Sequence, residues 1–181
     1  YWTGKDDAPL AFDPENKLWV EIWNNVFMEF NRTVDGAYQP LKQKNVDTGM
    51  GLERTAAVLQ GKATIYETDL FVPLIDKIRS LATNQNTVSE RIIADHIRAA
   101  MFLLVDHVRP SNVDQGYILR RLIRRAVRHG RKMGIQGNFL EKLGSLVLAQ
   151  YQEAYPEMMK QPIALLQALQ DEEAQFNKTL E

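Results

Sequence analysis

Two stretches of the 181-residue chain hold side chains whose types and spacing could do chemistry. In residues 45–60 (NVDTGMGLERTAAVLQ) a carboxylate, Asp47, is followed by Gly49 and Gly51 and then by Arg54. An acid ending a strand, glycines two apart in a turn and a helix opening on Glu-Arg would let backbone approach a planar or phosphorylated ligand while a guanidinium reaches an anion. Each part alone has a plainer reading. Small glycine turns join many strands to helices, Asp47 could cap the helix, and Arg54 could pair in solvent with Glu53. In residues 116–130, Arg120, Arg124 and Arg128 fall at i, i+4 and i+8, with Arg121 and Arg125 beside them. The rest of that helix, with Ile118, Leu119, Leu122, Ile123, Ala126 and Val127, supplies a buried side. Clustered Arg suits a phosphate backbone; the alternative is a solvated face pairing with acidic groups of the same molecule.

Smaller signals accompany these. Asn24 and Val26 share a parity on an apolar strand, so an amide and a small apolar side chain would face one pocket, unless Val26 is simply core. Glu21 and Asn24, three apart, fall on opposite faces of a regular strand and could serve one site only across a bulge. His96, His107 and His129 form no HxxxH pair, so local hydrogen bonding is the expected role of each.

The elements that position these residues follow from periodicity. Residues 18–32 (LWVEIWNNVFMEFNR) are apolar on both parities and predict a strand covered on both faces. Asp35-Gly36 predicts a two-residue hairpin turn, with a return through residues 37–41 and a third short stretch at 44–47. Residues 48–51 would bridge this antiparallel sheet to a helix over 52–60, which Gly61 ends. Apolar residues over 70–81 predict another helix, and Thr87-x-x-Glu90 a capping box opening a longer one. Beyond it come the basic helix, a helix over 138–155 and a last helix opened by Pro162. Residues 1–17 read as a loop or the tail of an interrupted domain, and no internal repeat is evident. The fold class is therefore α+β, a short antiparallel sheet followed by a mostly helical region.

Composition narrows the function classes. The chain is 45% apolar and 25% charged, with Gly 10 and Pro 7, outside the range of disordered or low-complexity sequences. No apolar run approaches the ~20 residues of a membrane span. Zero Cys excludes disulfides, thiolate zinc sites and cysteine nucleophiles, and makes the cytoplasm the default location. The start without Met and the uncapped helical pattern at Thr179-Leu180-Glu181 suggest a piece of something longer. The net charge of −1 hides a local balance of +7 over residues 109–132, eight cations against Asp114, which leaves −8 on the remainder.

The string Val46-Asp47-Thr48-Gly49-Met50-Gly51-Leu52-Glu53-Arg54 resembles motif 3 of the class II aminoacyl-tRNA synthetases, in the wording of the alanyl-tRNA synthetase family. Residues 21–28 (EIWNNVFM), Ile93-Ala94-Asp95-His96-Ile97-Arg98, Pro110-Ser111-Asn112 and the segment 116–130 match the same family in order and approximate spacing. The resemblance implies that Arg54 holds the γ-phosphate of ATP, with Gly51 giving the nucleotide close backbone approach. It implies that Asp47 receives the α-ammonium of alanine, with Asn24, Val26 and Gly49 around the substrate. Glu21 and Asn24 resemble a Glu-x-x-Ser/Asn pair, which gives Glu21 a role toward ATP and Mg²⁺. Asn112 matches the residue that contacts a G·U wobble pair in the acceptor stem of tRNA(Ala), and Arg120, Arg121, Arg124, Arg125 and Arg128 belong to the same RNA-binding face.

The implied division is residues 1–61, the end of a class II catalytic domain, and 62–181, a helical tRNA-recognition domain. Its partners would be ATP, alanine, tRNA(Ala) and the remaining domains of the synthetase, with no zinc in this stretch and no membrane. Motifs 1 and 2, the latter with the arginine for the α-phosphate, are not found. The rival reading is a non-catalytic RNA-binding module derived from such an enzyme.

Overall fold

The computed structural model describes residues 1–4 and 6–180; Glu181, part of the expected open-ended C-terminal pattern, lies outside them. The chain forms two compact units, Tyr1–Leu70 and Phe71–Glu181. Among the described residues no helix is long and apolar enough to cross a membrane.

In the first unit, β1 (Trp23–Arg32) and β2 (Tyr38–Met50) make a two-stranded antiparallel hairpin. β1 begins five residues later than the apolar pattern predicts, because residues 18–20 pair with the chain start instead: Thr3 donates to the Leu18 carbonyl (2.8 Å) and Val20 to that of Tyr1 (2.8 Å). Trp2 and Phe12 pack on Trp19 with ring centroids 5.2 and 5.5 Å away, so residues 1–17 are not only loop. The turn is longer than expected. Gly36 donates to the Thr33 carbonyl and Thr33 to that of Ala37 (both 2.9 Å), leaving three residues in the loop. Positive φ is confined to Gly36, at 85°, and Asp35 does not share it. The expected third stretch at 44–47 is the middle of β2, and 48–50 is its end rather than a turn. Polar residues interrupt the apolar alternation there, but the hydrogen-bond ladder continues through them.

Register is regular from Trp23↔Met50 to Met28↔Asn45 and resumes at Phe30↔Pro40. Between Met28 and Phe30, β1 advances two residues and β2 five, so a bulge sits on β2. The strand is not covered on both faces as predicted. Trp23 and Phe27 on one parity are 60% and 80% exposed, Val26 and Met28 on the other 52% and 40%. Alternating apolar side chains show which faces favour a cover, and none of the described residues of this unit supplies one.

Helix α1 (Leu52–Leu59) follows directly and ends, as expected, at Gly61, with Lys62 donating to the Ala57 carbonyl at 2.8 Å. A 3₁₀ turn (Ile65–Glu67) comes next. Gln60 bonds Asp69 twice, through its side chain to the carboxylate (2.7 Å) and from the Asp69 N–H (3.2 Å), so residues 62–69 stay with the first unit.

The second unit contains α2 (Val72–Leu81), α3 (Thr87–Val105), α4 (Asp114–Lys132), α5 (Leu140–Tyr151) and α6 (Pro162–Leu180). Its core includes Leu74, Ile78, Ile93, Ile97, Met101, Leu104, Leu119, Ile123, Leu143 and Leu169, all essentially inaccessible. The predicted capping box is replaced by a cap one residue earlier. Asn86 accepts from the Ser89 N–H at 2.8 Å, while Glu90, buried, accepts two bonds from Arg79 (3.1 and 2.9 Å). A long-range ion pair outcompetes the local box because it neutralises a carboxylate that burial would otherwise strand. α5 is shorter than residues 138–155. Its end is marked by Tyr151 and Tyr155 packing edge-on to Phe102 at 5.2 and 5.0 Å, after which Pro156 starts a 3₁₀ turn.

The start of α5 is held from α6. The fully buried Glu173 accepts the backbone N–H groups of Phe139 (3.0 Å) and Leu140 (3.1 Å), which a helix start leaves without internal partners. Burial pushes its carboxyl up from the ordinary range, and those two N–H bonds oppose the shift. Its folded state therefore binds the proton more tightly than the unfolded chain, so the contribution of this carboxyl to stability is fully present below the ordinary glutamate range and is lost as pH rises through the raised value. Chemical denaturation across that window should show Glu173→Gln, which has no such charge, losing part of the decline. Glu173→Ala, which strands two buried N–H groups, should lose about 2–4 kcal/mol near neutral pH.

Candidate functional site

The candidate residues fall into two groups, one in each unit. In the hairpin, directly opposed residues share a face. Asn24 pairs with Gly49 and Val26 with Asp47, so these four occupy adjacent positions on one face, an amide, a carboxylate and a small apolar group around a position without a side chain. Asp47 lies within β2 and not at its end, three residues before Met50. The ladder runs unbroken through this region, continued by Gly51 donating to the Ile22 carbonyl at 3.0 Å, and the bulge lies beyond Met28. Glu21, outside β1, therefore belongs by parity with Trp23 and not with Asn24.

Arg54, in the first turn of α1, donates from Nη1 to the Glu21 carbonyl at 2.9 Å. That bond gathers Glu21, Gly51 and Arg54 at the open end of the hairpin. Arg54 remains exposed, with guanidinium donors to spare for an anion.

The glycines are informative because the fold does not require them. A Cβ on Gly49 would meet nothing within 4 Å, and one on Gly51 only Arg54 carbons at 3.5–3.6 Å, an ordinary contact. Gly51 has φ −75° and ψ 110°, open to any residue. Glycine in a strand costs about 0.5–1 kcal/mol relative to alanine, and the described surroundings return nothing for it. The space they leave is available to a ligand. Metal binding is a narrower fit: no three His, Cys, Asp or Glu side chains among the described residues could hold a metal ion together. Glu21 offers one carboxylate, which suits Mg²⁺ only in its habit of completing its shell with phosphate and water.

In the helical unit, Asn112, Arg120, Arg121, Arg124, Arg125 and Arg128 line one cleft of about 530 Å³ together with Tyr117 and Phe176. α4 presents them because Leu119, Ile123, Ala126 and Val127 are buried on its other side; Ile118, expected there, is half exposed. The stripe is only partly solvated. Glu172 of α6, 6% exposed, accepts from Arg120 Nε at 3.2 Å and from Arg124 Nε at 2.6 Å. Arg124 also lies over the Phe176 ring, 5.0 Å from its centroid. Arg125 donates to His96 Nε2 (3.1 Å); since a guanidinium cannot accept, the His96 proton sits on Nδ1 and is donated to Asp95 at 3.1 Å. That bond, with the nearby cations, holds the Asp95 carboxyl below its usual range. His129 bonds Ser89 Oγ (2.9 Å), and burial, then the charges of Lys132, Arg125 and Arg128, push its imidazole down toward the neutral form. Arg121 and Arg128 are exposed and make no ion pair among the described residues.

Asn112 is set by the loop before α4. A Cβ on Gly116 would stand 2.5 Å from the Arg109 carbonyl oxygen, so only glycine lets residues 109–111 fold back on the helix start. Ser111 bonds the Gly116 carbonyl there (3.1 Å), and the Asn112 side-chain oxygen accepts from Arg120 Nη1. The contributions of Glu172, Tyr117 and Phe176 were missed by sequence reasoning. One signal was present: Leu165, Leu169, Glu172 and Phe176 recur at 4-3-4 spacing, which puts a carboxylate in an otherwise apolar stripe.

The profile of the family described as tRNA synthetases class II (A) matches residues 3–181, and the chain belongs to that family. Proteins named alanine–tRNA ligase are similar to it: 51% identity over 87% of the chain in Treponema pallidum (strain Nichols), 49% over 99% in Pseudoalteromonas translucida (strain TAC 125), and 47% over 99% in Pseudomonas fluorescens. The chain spans 27%, 21% and 20% of the lengths of these relatives.

The two kinds of arginine should separate on thermal or chemical denaturation. Arg124→Gln leaves the buried Glu172 with one cationic partner and should cost about 1–3 kcal/mol. Arg128→Gln should stay within about 0.5 kcal/mol of the parent.

Proposed function

We propose that the chain is the part of an alanine–tRNA ligase that supplies motif 3 of the activation site and the first recognition surface for tRNA(Ala). The adjacent pairs Asn24–Gly49 and Val26–Asp47, with Arg54 at the open end of the same hairpin, carry this reading. They offer what a small α-amino acid and a nucleotide triphosphate need: a carboxylate for the ammonium, an amide for the carboxylate, a small apolar side chain beside the methyl group and a guanidinium for phosphate. In this reading the alanine carboxylate attacks the α-phosphorus of ATP and pyrophosphate leaves. Asp47 anchors the nucleophile in place, while Arg54, steadied by the Glu21 carbonyl, holds the γ-phosphate and stabilises charge on the leaving group. Bound Mg²⁺, with Glu21 as one oxygen donor, would shield the phosphates. Contacts to the α-phosphate are expected from segments outside these residues, and the place of action is the cytoplasm.

For the RNA, Arg121 and Arg128 are the free cations for phosphates and Asn112 the reader of a base edge.

The 181 residues alone should give no pyrophosphate exchange near that of a complete enzyme; robust exchange would overturn the assignment of missing α-phosphate contacts. In a complete enzyme, Asp47→Asn should raise the KM for alanine far more than that for ATP, and Arg54→Ala the reverse. Gly49→Ala should leave the melting temperature unchanged or higher while raising the KM for alanine. Equal effects of Asp47→Asn and Arg54→Ala on both substrates would mean that these residues support the fold and do not touch substrate.

A further inference from the structure

The function of Glu172 is not explained by stability alone. A carboxylate buried to 6% exposure loses most of its hydration, and well-packed apolar side chains often replace buried ion pairs without loss of stability. Its partners indicate what it serves. Arg120 Nε and Arg124 Nε both bond Oε1 of Glu172, from 52 and 48 residues away in sequence. The far end of the Arg120 guanidinium then donates from Nη1 to the side-chain oxygen of Asn112. Arg120 is a rigid planar fork, so fixing its Nε edge fixes the direction of Nη1. The chain Glu172, Arg120, Asn112 therefore runs from a buried anchor to an exposed loop. With its oxygen bonded to Arg120, the Asn112 amide is held in one orientation, because a flip would set its NH₂ against the guanidinium donors, and its NH₂ is left to donate to a ligand.

We propose that Glu172 is a positioning residue for RNA discrimination: it holds Arg120 so that Asn112 presents its NH₂, as a donor, to an acceptor atom on a base edge in the cleft. This rests on the base-reading role given to Asn112 above. Glu172 itself touches no RNA, and as an anion beside the stripe it lowers the attraction for phosphates. It thus exchanges general affinity for selectivity, a combination that a group serving only stability would not produce.

The test uses the 181-residue chain and two short RNA hairpins that differ only in a G·U wobble pair or a G·C pair in the acceptor stem, titrated at several salt concentrations. The variants are Glu172→Leu, of similar volume and without acceptors, Glu172→Gln, which keeps one acceptor oxygen, Arg120→Gln and Asn112→Ala, each checked by its melting curve. A base-edge contact confers a preference of roughly 5- to 150-fold. Glu172→Leu should lose most of that preference while binding the G·C hairpin at least as tightly as the parent, with a salt slope no shallower. Glu172→Gln should recover part of the preference. Arg120→Gln should lose the preference through the other end of the chain, and remains decisive should Glu172→Leu fail to fold. Glu172→Leu added to Asn112→Ala should reduce the preference no further. Preference lost in Asn112→Ala but kept in Glu172→Leu or Arg120→Gln overturns the positioning role alone. Preference intact in Asn112→Ala overturns the base-reading role and the positioning role with it. A folded Glu172→Leu that binds both hairpins more weakly in equal measure shows a structural role only and also overturns the proposal.

Discussion

The arginine-lined face of the helical unit is arranged around a buried charge interaction, the carboxylate of Glu172 shared between Arg120 and Arg124. Its desolvation costs several kcal/mol, which only close contact with more than one cationic donor offsets. Successive residues of a helix point about 100° apart, so Glu172 and Glu173 reach different neighbours. The first takes arginines of α4 and the second the backbone start of α5. α6 is thereby tied to both helices through polar groups that must find their partners or be stranded, which specifies its rotation more sharply than apolar packing around Leu165 and Leu169 would.

The hairpin poses the opposite problem. Its strands satisfy each other's backbone groups, yet both faces carry exposed aromatic and aliphatic side chains, and an isolated two-stranded hairpin is marginal in water. What it holds well is register. Regular pairing from residue 23 to 28 puts Asn24, Gly49, Val26 and Asp47 on adjacent positions of one face, and the Arg54 to Glu21 bond brings the helix start to the same end.

Local signals carried much of this into the sequence. The alternation in residues 23–32, the helix end at Gly61, the Arg stripe at i, i+4, i+8 and the motif around Asp47 and Arg54 all depend on neighbours a few residues away, and their elements are present. The expectations that failed involve competition with distant groups. Thr87 and Glu90 read as a capping box until Arg79 claims Glu90. Residues 18–20 read as part of the strand until the chain start takes their backbone. A strand apolar on both parities indicates a need for cover but not where the cover lies. Of the stripe's two readings, internal pairing holds for Arg120 and Arg124 while Arg121 and Arg128 stay exposed, and nothing within a helical turn of Arg124 distinguishes it from Arg128. Only Glu172, far along the chain, does.

The bulge on β2 has a consequence for how such a hairpin can vary. Below it, odd-numbered residues of β2 share a face with the even-numbered residues of β1; above it, even-numbered residues do. The extra residues between Asn45 and Pro40 thus uncouple the tip from the base. Lengthening or shortening of the chain near the turn can be taken up in the bulge, as slack in a seam, without inverting the side on which Asp47 and Gly49 stand. The distal half of the hairpin is free to drift in length over evolutionary time while the proximal half is not.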